Sequence, residues 1–140
     1  MMVSSSFTIL AANDEVLHEE FLGYVDLAEL EESGEVTVSP HASFPISGQI
    51  SAGATKYNSS TYYMTTGERY SFSVNWAPTG QSIKVVRYNI DTGATWGTAA
   101  YSGGSASGSI TSSGPAGEYK FGIYNAGTKT ITSMSATISL

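Results

Sequence analysis

The sequence contains no cysteine, which excludes a disulfide framework and every thiolate metal site. Histidine is nearly as scarce, with only His18 and His41. Zinc needs three or four nitrogen, sulfur or oxygen ligands, and a Ser-His-Asp site needs a histidine close to its serine. Two histidines without cysteine make a poor start for zinc, and both lie outside the strand pattern of the later chain, so no metal, cofactor or catalytic group is expected. No run reaches the roughly 18 apolar residues of a membrane-spanning helix. Basic residues number six (Lys56, Arg69, Lys84, Arg87, Lys120 and Lys129) and are spread thinly. A nucleic-acid footprint requires a dense basic patch, so nucleic acid is not an expected partner.

Lysine and arginine are absent from residues 1–35, which instead hold nine of the twelve acidic groups. The chain therefore divides into an acidic leader and a weakly basic remainder. Its first residues, "MMVSSSFTILAAN", form a weakly apolar run ending in the small Ala11 and Ala12. They look like the tail of a secretory signal that lacks its basic start, and residues 1–12 are read that way. An ordinary N-terminal strand over "SFTIL" is the competing reading. Residues 13–35 carry the only helical pattern. Leu17, Phe21, Tyr24 and Ala28 recur at four-three-four spacing, the period of an amphipathic helix, with Asn13 or Asp14 as a cap and Gly34 as a stop. Gly23 in the middle and Glu29, Glu31 and Glu32 at the negative end of the dipole oppose that helix.

Abundance lies elsewhere. Serine and threonine together number 37, a hydroxyl-rich makeup common in extracellular bacterial β domains. From residue 36 onward the pattern is strand and turn. In "GERYSFSVNWAPTG", Tyr70, Phe72, Val74 and Trp76 alternate with Ser71, Ser73 and Asn75, the two-residue period of a half-buried strand. "EYKFGIYN" repeats the pattern, with Tyr119, Phe121 and Ile123 expected inward. About eight such strands follow one another with Gly-, Pro- and Ser-rich turns between them. That spacing predicts an all-β fold, an antiparallel β-sandwich of jelly-roll or immunoglobulin-like type over residues 36–140.

The stretches "GERYSFSVNWAP" and "PAGEYKFGIYNAG" resemble those of the bacterial pre-peptidase C-terminal domain and its collagen-binding-type relatives. The resemblance covers roughly residues 45–140. It implies a small secreted β-sandwich attached to an exported enzyme, with an accessory or binding role rather than a catalytic one. No Asp-x-Asp pair occurs in that region, a departure from the calcium-binding members.

"YNIDTGATWG" poses the one catalytic question. Asp91-Thr92-Gly93 matches the motif by which retroviral-type aspartic proteases present one carboxylate per protomer of a dimer. Those enzymes also carry two bulky apolar residues before a downstream glycine. Here "KFG" at residues 120–122 has lysine at one of those places. Aspartate two residues before a glycine is also ordinary hairpin-turn chemistry, and Asp91 is read as a turn residue. Glu68 and Glu118, each between a glycine and a strand, are weighed as a glycosidase pair and read as strand-start residues. "NSS" at Asn58 matches a glycosylation acceptor and carries little weight in a bacterial chain.

The remaining functional material is aromatic. Tyr62, Tyr88, Trp96 and Tyr101 are proposed as a ligand-binding platform, because exposed aromatic rings bind sugar faces or protein surfaces. The expected function is a secreted or cell-surface, non-catalytic binding module whose partner is extracellular polysaccharide or a protein surface. The alternative is a self-assembling, oligomeric subunit of a surface fibre, in which an extended N-terminal segment pairs with a neighbour's edge strand.

Overall fold

The computed structural model describes residues 16–25 and 43–140. Among them eleven strands form: β1 (Val16–His18), β2 (Glu20–Tyr24), β3 (Ser43–Ser47), β4 (Thr55–Tyr57), β5 (Tyr62–Met64), β6 (Arg69–Ala77), β7 (Ile83–Asn89), β8 (Ala94–Gly97), β9 (Ser105–Thr111), β10 (Gly117–Asn125) and β11 (Ser133–Ser139). One sheet has five strands in the order β1-β9-β6-β11-β3. The other has six, ordered β2-β8-β7-β10, with β4 and β5 placed end to end along the free edge of β10. Every pairing is antiparallel except that of β1 with β9. The expected all-β antiparallel sandwich is the observed fold.

Alternation along the strands explains the layers. On β6, Tyr70, Phe72, Val74 and Trp76 are buried, and in register with them β11 contributes Met134, Ala136 and Ile138. From the opposite sheet come Ile83 and Val85 on β7 and Tyr119, Phe121 and Ile123 on β10. Phe121 is the hub of the aromatic packing, with ring centroids 5.2 Å from Tyr70 and 5.6 Å from Phe44. Burial of these side chains is the main force holding the two sheets together. The Trp76 indole N–H donates to the Gln81 carbonyl at 2.7 Å, which satisfies the only polar group of that buried ring.

The helix expected over residues 13–35 is not present where that segment is described. Residues 16–18 and 20–24 are strands. β1 runs along β9 and β2 along β8, so the segment closes the same side of both sheets. A short isolated helix is marginal in water, whereas two open sheet edges offer a backbone partner to an extended segment. Gly23, at a φ of 107°, sits where the β2–β8 register shifts and forms a bulge, a conformation that glycine adopts without steric penalty. The sandwich therefore includes residues on the acidic side of the boundary expected at residue 36. Residues 1–15 and 26–42, which hold the proposed signal tail and the rest of the leader, lie outside the described residues.

Candidate binding cleft

The Asp-Thr-Gly stretch forms the turn of the β7–β8 hairpin. Asn89 organises it: its side-chain oxygen accepts the N–H groups of Asp91 at 2.8 Å and Thr92 at 3.1 Å. Gly93 has a φ of 81° and donates its N–H to the Asn89 carbonyl. The Asp91 side chain is exposed and has no hydrogen-bond or charge partner among the described residues. The turn reading stands, with the capping role on Asn89 rather than on Asp91. Glu68 accepts from the N–H and hydroxyl of Thr65, and Glu118 accepts from the Thr61 hydroxyl at 3.0 Å.

The four aromatic residues singled out from the sequence do not form one surface. Tyr62 points into the core, stacked on Phe44 with centroids 4.5 Å apart. Tyr101 is half-buried against Phe72, and Trp96 lies between Phe21 and Gly114 with its indole N–H unpaired among the described residues. Tyr88 belongs to the outer face of the six-stranded sheet and is buried there, with the Tyr57 ring edge-on to it at 4.9 Å.

That outer face carries a cleft of about 410 Å³, lined by Leu22, Gly23, Tyr24, Val25, Gly53, Thr55, Tyr57, Lys84, Val86, Thr95 and Tyr124. Register explains its shape. One row across the strands reads Thr55, Tyr124, Lys84, and the next reads Tyr57, Gly122, Val86, Gly97. Glycine on either side of Val86 lowers the sheet surface. A side chain at Gly122 would place its first carbon 2.7 Å from Tyr57 Cδ1, and one at Gly97 would meet Leu22 Cδ1 at 2.7 Å. The Tyr57 ring and the Leu22 side chain thus lie where glycine makes room for them, with Val86 between.

The lining residues include no carboxylate and no imidazole, and Lys84 is the one charged group among them. Burial pushes the Tyr57 phenol above its usual range, partly offset by a hydrogen bond with Thr55, so it remains a neutral donor and acceptor at neutral pH. Tyrosine rings, threonine hydroxyls and one ammonium suit a ligand that stacks and hydrogen-bonds. Nothing in the lining pairs a nucleophile with a base.

A second polar cluster lies between the sheets. The fully buried Arg87 donates to Glu19 through Nε at 2.5 Å and Nη2 at 2.6 Å. The same carboxylate accepts the Tyr70 hydroxyl at 2.5 Å and the Ser113 N–H at 3.0 Å. The guanidinium also lies 4.0 Å from the centre of the Tyr119 ring, a cation–π distance. Desolvation alone would lower the Arg87 pKa, but the hydrogen bonds and charge of Glu19 outweigh it and the net shift is upward.

Sequence reasoning missed Tyr57, Tyr124 and Lys84. A signal existed for two of them: Tyr124 and Lys84 hold the outward phase of "EYKFGIYN" and "SIKVVRYNI", so the alternation already placed them on the outer face. Tyr57 stands in a three-residue strand, too short to show a period.

No family model matches the chain, and no curated protein matches it. Among solved structures, the chain is similar to a pre-peptidase C-terminal domain of a collagenase from Bacillus anthracis, with a TM-score of 0.40 and 14% identity over 78% of this chain and 99% of that one. It is also similar to a β-glucosidase from Paenibacillus barengoltzii, with a TM-score of 0.33 and 14% identity over 89% of this chain and 13% of that one. The resemblance to pre-peptidase C-terminal domains drawn from the sequence thus recurs among solved structures, and it is weak.

Proposed function

We propose that this chain is a secreted, non-catalytic accessory module of a bacterial protein, and that it binds extracellular polysaccharide in the cleft on the six-stranded sheet. The observation that carries the reading is the set of Tyr57, Tyr124 and Tyr24 around a floor cleared by glycine, with Thr55, Thr95 and Lys84 supplying polar contacts. A sugar ring offers an apolar face to an aromatic ring and hydroxyls to its surroundings. Tyr57 is held in advance of binding, because Gly122 lies beneath it and Tyr88 packs edge-on beside it. Less side-chain freedom then remains to be lost on association.

Affinity electrophoresis and calorimetry of the full chain against soluble neutral and acidic polysaccharides test this. At least one polysaccharide should bind, and Tyr57→Ala and Tyr124→Ala should each weaken it about tenfold, near 1.4 kcal/mol. Retention by none of the polysaccharides, or equal retention of both variants, would overturn the reading.

A further inference from the structure

The placement of charge on the six-stranded sheet narrows the class of ligand that the cleft takes. Lys84 stands in the row Thr55, Tyr124, Lys84, with Tyr124 facing it on the neighbouring strand. An outward lysine on a strand is ordinarily a solvated charge. This one is half-buried, lines the cleft beside Tyr124 and Val86, and is the one charged group in that lining. It has no ion pair and no hydrogen-bond partner among the described residues.

The described acids lie elsewhere. Glu19 is between the sheets on Arg87, and Glu68 is tied to Thr65 before β6. Asp91 lies in the hairpin that follows β7, whereas Lys84 stands near the start of that strand. Glu118 opens β10 and Tyr124 nears its end, a separation of roughly 20 Å along the strand. Glu20 is exposed on β2, two strands from Val86 and about 10 Å away by strand spacing, and does not line the cleft. Other cations gather at the Lys84 end. Lys56 sits between the lining residues Thr55 and Tyr57, and the Lys129 N–H donates to the Gln81 side chain just before β7. Lys120, two rows along β10 from Tyr124, is buried and outside the lining. Charges more than about 8 Å away are largely screened at physiological ionic strength. A bound ligand therefore senses the nearby ammonium rather than the net charge of −6 on the chain.

We infer, granting that the cleft is the ligand site, that its polysaccharide is anionic and that the Lys84 ammonium holds a carboxylate or sulfate group of it. The sugar ring bearing that group packs against Tyr124. A hydrogen bond between ionised groups is roughly twice as strong as one between neutral groups. The hydroxyls of Thr55, Thr95 and the tyrosines serve charged and uncharged sugars alike, so discrimination between them falls to Lys84.

Calorimetry of the full chain at low ionic strength compares polygalacturonate with its methyl ester, and dextran sulfate with dextran. At least one charged polymer should bind about tenfold more tightly than its neutral counterpart, the scale of one hydrogen bond to a charged group. Which pair differs tells carboxylate from sulfate. Lys84→Gln should abolish the preference and Lys84→Arg should keep most of it. Arg69→Gln removes the same charge from an exposed position on the other sheet and should leave the preference unchanged. Melting curves of Lys84→Gln should match those of the wild-type chain. Two results would overturn the anionic assignment and leave the cleft reading in place: a neutral polymer bound as tightly as its charged counterpart, or a preference that survives Lys84→Gln. Equal losses in Lys84→Gln and Arg69→Gln would reduce the preference to bulk attraction and overturn the assignment too. Binding that Tyr57→Ala and Tyr124→Ala leave unchanged, or binding of no polymer at all, would overturn the cleft reading itself and the role of Lys84 with it.

Discussion

Glu19 and Arg87 pair across 68 positions of sequence, a carboxylate on the edge-closing segment against a guanidinium on an interior strand. Both side chains are fully buried. Removing one partner of such a pair leaves an uncompensated charge in the interior and costs about 3–5 kcal/mol. Glu19→Gln and Arg87→Met should each lower stability by that order in chemical denaturation. The double change Glu19→Leu with Arg87→Met, which buries no charge, should recover much of the loss. Additive losses in the double variant would show that the pair is not the coupled unit described.

The same cluster makes the fold sensitive to alkali. Burial is the largest cause holding the Tyr70 phenol well above its usual range. The charge of Glu19 and its hydrogen bond add to the rise, and Arg87 opposes it. A folded-state pKa above the unfolded value means that the native state keeps a proton the unfolded chain releases. The stability this confers is intact below pH ~10, the unfolded tyrosine value, and is lost as pH rises above it. Tyr57 and Tyr101, raised by partial burial, act in the same direction. Denaturation midpoints measured upward from pH 9 should therefore fall, and fall less steeply in Tyr70→Phe. Identical slopes in the two proteins would rule out Tyr70 as a source.

Much of this architecture was legible from alternation alone. Tyr70, Phe72, Val74 and Trp76 on β6 and Tyr119, Phe121 and Ile123 on β10 announce their inward faces, because a strand buried on one side has no other way to order its side chains. The same phase places Arg87 inward beside Ile83 and Val85, and a buried arginine requires an anion. Its partner was not legible, since Glu19 stands in a segment whose spacing also fits a helix and whose pairing is settled only by distant edges. The cleft was hidden for a related reason. Tyr57 comes from a three-residue strand, and the vacancies at Gly97 and Gly122 matter only once β2 and β4 lie beside them.

The hairpin at residues 89–93 separates two roles that the motif confuses. Asn89 accepts two backbone N–H groups, while the exposed Asp91 carboxylate accepts none among the described residues. Asn89→Ala should destabilise by about 1–2 kcal/mol, the scale of a lost side-chain cap on backbone donors. Asp91→Asn should change stability by less than about 0.5 kcal/mol, as exposed substitutions away from such features do. Thermal melts of the two variants decide this. Peptide cleavage that disappears in Asp91→Asn would restore the protease reading of the motif.

Gly122 offers the sharpest link between packing and binding. A methyl group there would meet Tyr57 Cδ1 at 2.7 Å, Thr55 Cγ2 at 2.8 Å and the Lys56 carbonyl oxygen at 2.9 Å. Two of those atoms belong to side chains that can shift. The third is backbone of β4, so relief requires the strand itself to move. Gly122→Ala should thus lift Tyr57 away from the sheet, at an overpacking cost of about 1–3 kcal/mol. Polysaccharide binding should weaken by tenfold or more, although the methyl group does not itself line the cleft. Gly80→Ala is the matched control, because nothing lies within 4 Å of its added carbon, and it should leave binding unchanged. Calorimetric titration of both variants alongside their melting curves separates the two effects. Full binding by a folded but destabilised Gly122→Ala protein would mean that the seat of Tyr57 on the sheet is structural only, and that recognition rests on other residues of the cleft.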